Sequence, residues 1–240
     1  MAEPTDPLRR PRRFYKTVSV AGEGGAFALS LDGRAPRTPA GRPLILPTLA
    51  LAELLAEEWR RQGNTILYTA MPATRLAYTA IDVVASTRSL SIESVTRFGD
   101  ADLLCYFADH PRSLVDRQKK VWIPLLEWAR EVHGLAFEHA SGIIHRKQPP
   151  AALSRLAAIV EPLDDFGLAG LAFAAALLGS AILAIALRDG RIRAEEAMGA
   201  SRLDEIFQEE RWGVDAEAKS KADAMAVEAV MAERWFAALA

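Results

Sequence analysis

FGLAGLAFAAALLGSAILAIAL, running from Phe166 to Leu187, is the stretch on which the fold turns. Its 22 residues carry no charge, which as a helix is long enough to span a bilayer. The competing reading is a helix buried inside a globular protein. Alanine and glycine make up much of the run and give weak transfer energy. Ala172, Ala176, Ser180 and Ala184 recur every four residues, a small-residue stripe where neighbouring helices approach closely. Such a stripe also packs helices inside membranes. No aromatic belt flanks the run, however, and Arg188 is the one basic residue at its edge before Arg191 and Arg193. The expectation is one internal helix over Leu168–Leu187, with no membrane insertion.

Helical periodicity surrounds this run. The first 150 residues hold 19 alanines and the last 90 hold 25, and that local excess of the best helix former argues for packed helices. Helices are expected at about Ala151–Val160, Ala194–Met198, Ser201–Trp212 and Asp215–Leu239. Upstream, Leu114–Val132 reads as a helix that Pro124 kinks or divides. His133–Pro150 reads as a connector, extended at Ile143-Ile144. One helical segment is read through Ile92 and Val95 to Tyr106. Pro72 opens another, with Leu76, Ala77, Ala80, Ile81 and Val84 on its apolar side. Thr48 caps a helix lined by Leu51, Leu54, Leu55 and Trp59 and closed by Gly63.

Before Pro47 the period is two. Phe14, Val18 and Val20 alternate with polar residues, the glycines of Ala21–Gly25 make a turn, and Phe27, Leu29 and Leu31 alternate again. Asp32-Gly33 is a type I′ hairpin signal, and Leu44–Leu46 forms a further short strand. The fold class is therefore α+β: a small N-terminal antiparallel β domain (residues 1–47, with an arm) followed by a larger all-helical domain (48–240). The β meander has little core of its own and leans on the helices after it.

Composition narrows the function. Hydrophobic residues make up 50% and charged residues 25% of the 240, so the chain is globular rather than disordered. A net charge of −2 argues against nucleic-acid binding. The single cysteine, Cys105, cannot form an internal disulfide and lies among apolar neighbours as a buried small hydrophobe. Arg9, Arg10, Arg12 and Arg13 form a basic cluster with no apolar run after it, so the N-terminus reads as a mobile arm rather than a secretory signal.

Catalytic chemistry finds little support. Gly22-Glu23-Gly24-Gly25 lacks the Lys-Ser or Lys-Thr of a phosphate loop, and a strand comes after it where a helix is required. His133, His139 and His145 are six apart, which is no metal-ligand spacing on one helix. No nucleophile elbow is present to use His110. Asp100 and Asp102 form a small acidic cluster, read first as a helix cap. No cofactor or metal is expected. The alternative kept open is a soluble enzyme with Asp100, Asp102 or His110 in an interdomain cleft.

The segment Ser201–Gly213 carries the strongest binding signal. Ser201 is read as its N-cap, with Asp204 and Glu205 in the first turn. At about 100° per residue, Leu203, Ile206 and Phe207 fall together toward the core. Glu205, Gln208 and Trp212 stand at i, i+3 and i+7 on the opposite side. Two placements of Trp212 stay open: outward as a protein-binding hot spot, or folded back beside Gly213. From Asp204 to Asp223 there are seven acids and three bases, a polarised patch of the kind that steers a partner.

An ordered set of short pieces now comes together: Arg13-Phe14-Tyr15-Lys16, Leu31-Asp32-Gly33-Arg34 and Thr38-Pro39. Next in order are Glu58-Trp59 with Gln62, Met71-Pro72, Thr74-Arg75-Leu76 and Thr79-Ala80-Ile81-Asp82. Then come Asp102-Leu103-Leu104-Cys105-Tyr106, Gln118 with Trp122-Ile123-Pro124-Leu125, Gly179-Ser180, and Leu203-Asp204-Glu205 with Gln208 and Trp212-Gly213. In this set the chain resembles the Atp-twelve family, assembly chaperones of the ATP synthase F(1) catalytic head; Ala73 and Tyr78 depart from its pattern. The resemblance implies a non-enzymatic chaperone that binds the free α subunit and shields its β-facing surface from aggregation. It also implies a small β domain joined to a larger helical one. Asp204, Glu205, Gln208 and Trp212, on the acidic helix whose outward face is read from its spacing, are the expected partner-binding residues, and the protein is expected to act as a monomer. The short arm points to a bacterial cytoplasmic member; a eukaryotic one would sit in the mitochondrial matrix.

Overall fold

Strands β1 (Val18–Glu23), β2 (Ala26–Leu31) and β3 (Ile45–Leu46) form an antiparallel sheet in that order. The computed structural model describes residues 11–142 and 146–240. The N-terminal arm up to Arg10, the extended reading at Ile143-Ile144 and His145 lie outside the described residues. Gly24 and Gly25 turn β1 into β2 with φ of +61° and +82°, the positive values a type I′ hairpin needs at both central positions. Strand β1 runs to Glu23, so the turn is tighter than the glycine run implies. Asp32 and Gly33 make a second such turn, closed by paired bonds between Leu31 and Arg34 of 2.8 and 3.0 Å. The Asp32 carboxylate accepts from the Lys16 and Thr17 amides and the Thr17 hydroxyl, which hold its pKa well below the usual carboxylate range.

The sheet leans on α1 (Leu49–Arg60), as its small size requires. Thr48 caps this helix, its Oγ1 accepting from the Leu51 amide at 3.1 Å. Buried Tyr15 donates its hydroxyl to the Trp59 carbonyl at 2.7 Å, and Arg13 reaches the Gln62 carbonyl at 2.5 Å. Helix α2 (Pro72–Thr79) starts at Pro72 and continues through a π turn over Ala80–Val84. Its free N-terminal amides are capped from outside: Glu58 of α1 accepts from the Ala73 and Thr74 amides, both at 2.8 Å. Burial nevertheless pushes the Glu58 carboxyl upward in pKa.

The segment read as helical through to Tyr106 is divided. Helix α3 (Arg88–Asp100) ends, Leu103–Cys105 makes a single turn, and β4 (Tyr106–Phe107) pairs in parallel with β5 (Ala140–Ser141). This ribbon is a small β insertion in a predominantly helical domain. Helix α4 (Arg112–His133) passes through Pro124 as one element. Next along the chain is α5 (Pro150–Val160).

The decisive apolar run is not one helix but two. Helix α6 (Asp165–Leu178) stops at Gly179, which takes φ +66°, and α7 (Ala181–Arg188) begins after Ser180. Ser180 caps α7 through a bond from the Leu183 amide of 3.0 Å. Every residue from Ala181 to Leu187 is buried, and among the described residues no helix is long and apolar enough to cross a membrane. The small-residue stripe is a contact face only in its second half: Ser180 and Ala184 are buried, Ala172 is half-buried and Ala176 is exposed. Close approach occurs instead at Gly170. A Cβ there would lie 2.6 Å from Nε1 of Trp235 on α10 (Ala216–Leu239), so α10 sits on the bare backbone of α6. Between them in sequence lie α8 (Ala194–Ser201) and α9 (Leu203–Trp212).

Asp102 holds the break between α6 and α7. Its fully buried carboxylate accepts from the Ser180 hydroxyl (2.6 Å), the Ile182 amide (3.0 Å) and the Leu104 amide (3.1 Å). Leu103 N–H meets the Gly179 carbonyl at 3.1 Å. Burial pushes the Asp102 pKa up to about 6, against the pull of these donors.

Such packing makes small substitutions unequal. Gly170→Ala is expected to destabilise by about 1–3 kcal/mol through overpacking, whereas Ala176→Leu stays within about ±0.5 kcal/mol; denaturant melts of both compare them. Asp102→Asn places an amide N–H against the donors around it and is expected to cost about 1–3 kcal/mol. A raised carboxyl pKa means the folded state holds the proton more tightly. The contribution of Asp102 therefore falls as pH rises from about 4 to about 6. The gap between wild type and Asp102→Asn should narrow over that window, and unchanged spacing of the two stability–pH curves would refute it.

Candidate functional site

Helix α9 is built to show one face. Ser201, read as its cap, ends α8 instead and donates to the Leu178 carbonyl at 2.9 Å; Arg202 occupies the cap position of α9. Leu203 and Phe207 are buried, and Ile206 is half-buried beside them. Three polar tethers fix the helix to α4. Arg117 pairs with Glu210 at 2.7 Å, Arg211 donates to Ser113 Oγ at 3.0 Å, and Gln118 donates to Asp204 Oδ1 at 2.7 Å. The Arg117–Glu210 contact lowers the Glu210 pKa and raises that of Arg117. Arg202 and Glu209 pair along the helix at 2.6 Å, and the Arg211 guanidinium lies 4.1 Å over the Phe207 ring.

What these tethers leave free is the face read from the periodicity. Glu205, Gln208 and Trp212 are exposed, and their side chains make no hydrogen bond or ion pair with a described residue. Trp212 is 77% exposed, so the outward placement holds over the folded-back one. Gly213 ends the helix at φ +86°, ψ 167°, a conformation other residues rarely adopt. Asp204 is half-buried and turned to Gln118, at the edge of a hollow it shares with Tyr106, Phe107 and His110. Glu205 faces a groove of about 400 Å³ between the end of α6, α9 and the exposed first half of α10. Leu177, Leu178 and Met225 line that groove, with Glu205, Glu209 and Lys221 beside them.

Of the residues weighed for catalysis, His110 lines the hollow beside Asp204, and the others lie elsewhere and do other work. Asp102 is consumed by the helix break, and Asp100 accepts from the Gln148 amide at 2.9 Å. His133 packs edge-on against Trp128, and His139 against Phe107. Cys105 is buried, and burial raises its thiol pKa beyond reach of neutral pH. Among the described residues, no three His, Cys, Asp or Glu side chains gather as metal ligands would.

Residues 12–130 match the family model described as ATP12 chaperone protein. The structure of Atp12 from Paracoccus denitrificans superposes with a TM-score of 0.90 at 41% identity, covering 95% of this chain and 98% of that one. The chain belongs to the ATP12 family. A proposed chaperone from Agrobacterium tumefaciens superposes at 0.92, with 39% identity over 99% of this chain and 92% of the other. Mitochondrial atp12 of Schizosaccharomyces pombe is 27% identical over 223 residues, 87% of this chain and 77% of that protein. As an ATP12 family member the chain is a chaperone, not an enzyme.

Most residues that carry the family resemblance prove to hold the ATP12 fold together. Glu58 caps α2, Arg13 and Tyr15 pin the segment before β1 to the end of α1, and Gln62 accepts from the Leu67 amide at 2.7 Å. Thr38 donates to Asp82 at 2.7 Å, tying the sheet to the turn after α2. Gln118 is fully buried, and its Oε1 accepts from the Ala108 amide at 2.8 Å while its amide group holds Asp204. Sequence reading assigned it no role. A polar residue on the apolar side of an amphipathic helix was the available signal, since a buried amide must find partners.

Gln118→Leu strands the Ala108 amide and frees Asp204, and is expected to cost about 1–3 kcal/mol. Trp212→Ala should stay within about ±0.5 kcal/mol, as its side chain is largely exposed. Thermal melts of the two variants make the comparison.

Proposed function

We propose that this chaperone binds the unassembled α subunit of the ATP synthase catalytic head through the outward face of α9. Bound there, it covers the α surface that later meets β. The observation that carries this is Trp212, 77% exposed on a helix whose Asp204, Glu209, Glu210 and Arg211 are tied down while Glu205 and Gln208 stay free. An exposed tryptophan beside unpaired polar groups is the make-up of a binding hot spot. Glu205 and Gln208 share its face, and Asp204 stands at the margin where Gln118 fixes the helix. The family resemblance supplies the client. The acidic patch over Asp204–Asp223 supports orientation toward a basic region of it.

The task is physical rather than chemical. A subunit made for a permanent complex exposes an interface of more than about 2,000 Å² in total, apolar at its centre. Such surfaces aggregate when bare. A cover must bind well enough to suppress this and weakly enough to yield to the permanent partner. We place the protein in the bacterial cytoplasm, or the mitochondrial matrix of a eukaryote, acting as a monomer without nucleic acid.

Isolated α subunit should aggregate less on dilution or heating with an equimolar amount of this protein, with no ATP hydrolysis. Turbidity is the readout. Glu205→Gln should melt within about ±0.5 kcal/mol of wild type yet protect less well. Trp212→Ala should weaken α binding by about 2 kcal/mol or more. A Glu205→Gln protein that melts far lower but binds normally when folded would make the residue structural, a first-turn acid interacting with the helix dipole.

A further inference from the structure

We propose that a pocket on the opposite side of α9 docks a second part of the client: an acidic segment bearing one large apolar side chain. The proposal rests on the client-binding reading above. The pocket holds about 440 Å³ between α4, α8, α9 and the turn before α8. That lies within the range of about 300–1,000 Å³ typical of ligand clefts. Its lining is mostly apolar, with Val121 and Leu125 from α4, Ile192 from the turn and Ile206 from α9.

Charge at the pocket selects the occupant. Arg117 is already paired with Glu210, while Glu196 accepts from the Arg193 amide at the start of α8 and keeps its negative charge. Lys120 and Arg191 are exposed, line the pocket and have no side-chain hydrogen bond or ion pair with a described residue. Two such cations against one carboxylate leave the balance positive, in contrast with the acidic face of α9. A segment that fills the apolar floor and brings carboxylates to Lys120 and Arg191 satisfies both features.

One backbone detail agrees. Gly199, inside α8, lowers helix stability relative to alanine. Among the described residues no close contact requires it, since a Cβ there would meet no atom within 4 Å. Its bare position borders the pocket and leaves room above the floor.

Full-length protein tests this with three variants and two probes. Gly199→Phe puts a large side chain at the rim of the pocket, where a Cβ meets no atom within 4 Å, and Lys120→Glu with Arg191→Glu reverses its charge. Arg191→Gln alone serves if the double variant does not fold. Each plugged or reversed protein should bind purified α subunit at least tenfold more weakly at an unchanged melting temperature. Added salt should weaken α-subunit binding less in the reversed protein than in wild type. In methyl NMR, the acetylated, amidated peptide Asp-Leu-Phe-Glu should shift Ile192 and Ile206, and Lys-Leu-Phe-Lys should not.

Wild-type affinity in both pocket variants, with Trp212→Ala still weakened, overturns the pocket and leaves the α9 face standing. Should wild-type protein not bind α subunit at all, the client reading fails and the peptide pair decides the pocket alone. Equal shifts with both peptides, or none, reject it. Concentration-dependent self-association that buries Ile192 and Ile206 assigns the pocket to a second copy and also rejects it.

Discussion

The carboxylate of Asp102 determines where the longest apolar run of the chain bends. A buried carboxylate is costly unless donors surround it. Here the Ser180 hydroxyl and the Ile182 and Leu104 amides do so. Two of those donors belong to the start of α7, so satisfying Asp102 requires α7 to begin at that place and angle. The consequence is a central helix, buried from Ala181 to Leu187, against which α4, α6 and α10 pack. A single straight helix of 22 apolar residues would have left a long stripe without partners. Breaking it into elements of 14 and 8 residues lets both pieces enter one core.

The signals for that break were present in the sequence and lost to a stronger pattern. Gly179 is a left-handed helix stop and Ser180 a side-chain cap, both ordinary punctuation. Inside an uninterrupted apolar run they read as members of a small-residue stripe instead. Their partner, Asp102, lies 78 positions away, so no local window joins them. The β hairpins were legible for the opposite reason. Gly24-Gly25 and Asp32-Gly33 determine their turns through their own backbone preferences. The β4–β5 ribbon could not be read: two residues per strand carry no period, and the pairing joins segments more than thirty residues apart.

Site legibility divides along the same line. Helical spacing placed Leu203 and Phe207 inward and Glu205, Gln208 and Trp212 outward, because a helix determines its own faces. The same spacing could not tell Asp204 from Glu205, neighbours in the first turn. Gln118, 86 positions upstream, distinguishes them by taking Asp204 as its acceptor. Likewise the residues that made the family recognisable are largely those whose side chains bridge distant backbone, such as Glu58 to α2 and Arg13 to the end of α1. Polar groups that must be satisfied inside a fold constrain sequence as strongly as contact with a partner does. A family motif is therefore a weaker guide to the contact surface than exposure is.

On the proposed reading, a reversible cover needs a rigid presenting surface, and the tethers of α9 would provide one. Arg117, Gln118 and Ser113 of α4 hold three of its side chains, while Leu203 and Phe207 anchor its apolar side. A helix fixed before binding loses little conformational freedom on binding, so a few exposed groups can supply useful affinity. Limiting those groups to a short helix face also keeps the affinity moderate. Buried area would otherwise grow toward that of a permanent subunit contact, and the final partner could not displace the cover. On the proposed reading, the small number of exposed groups on α9 is part of how such a chaperone lets go.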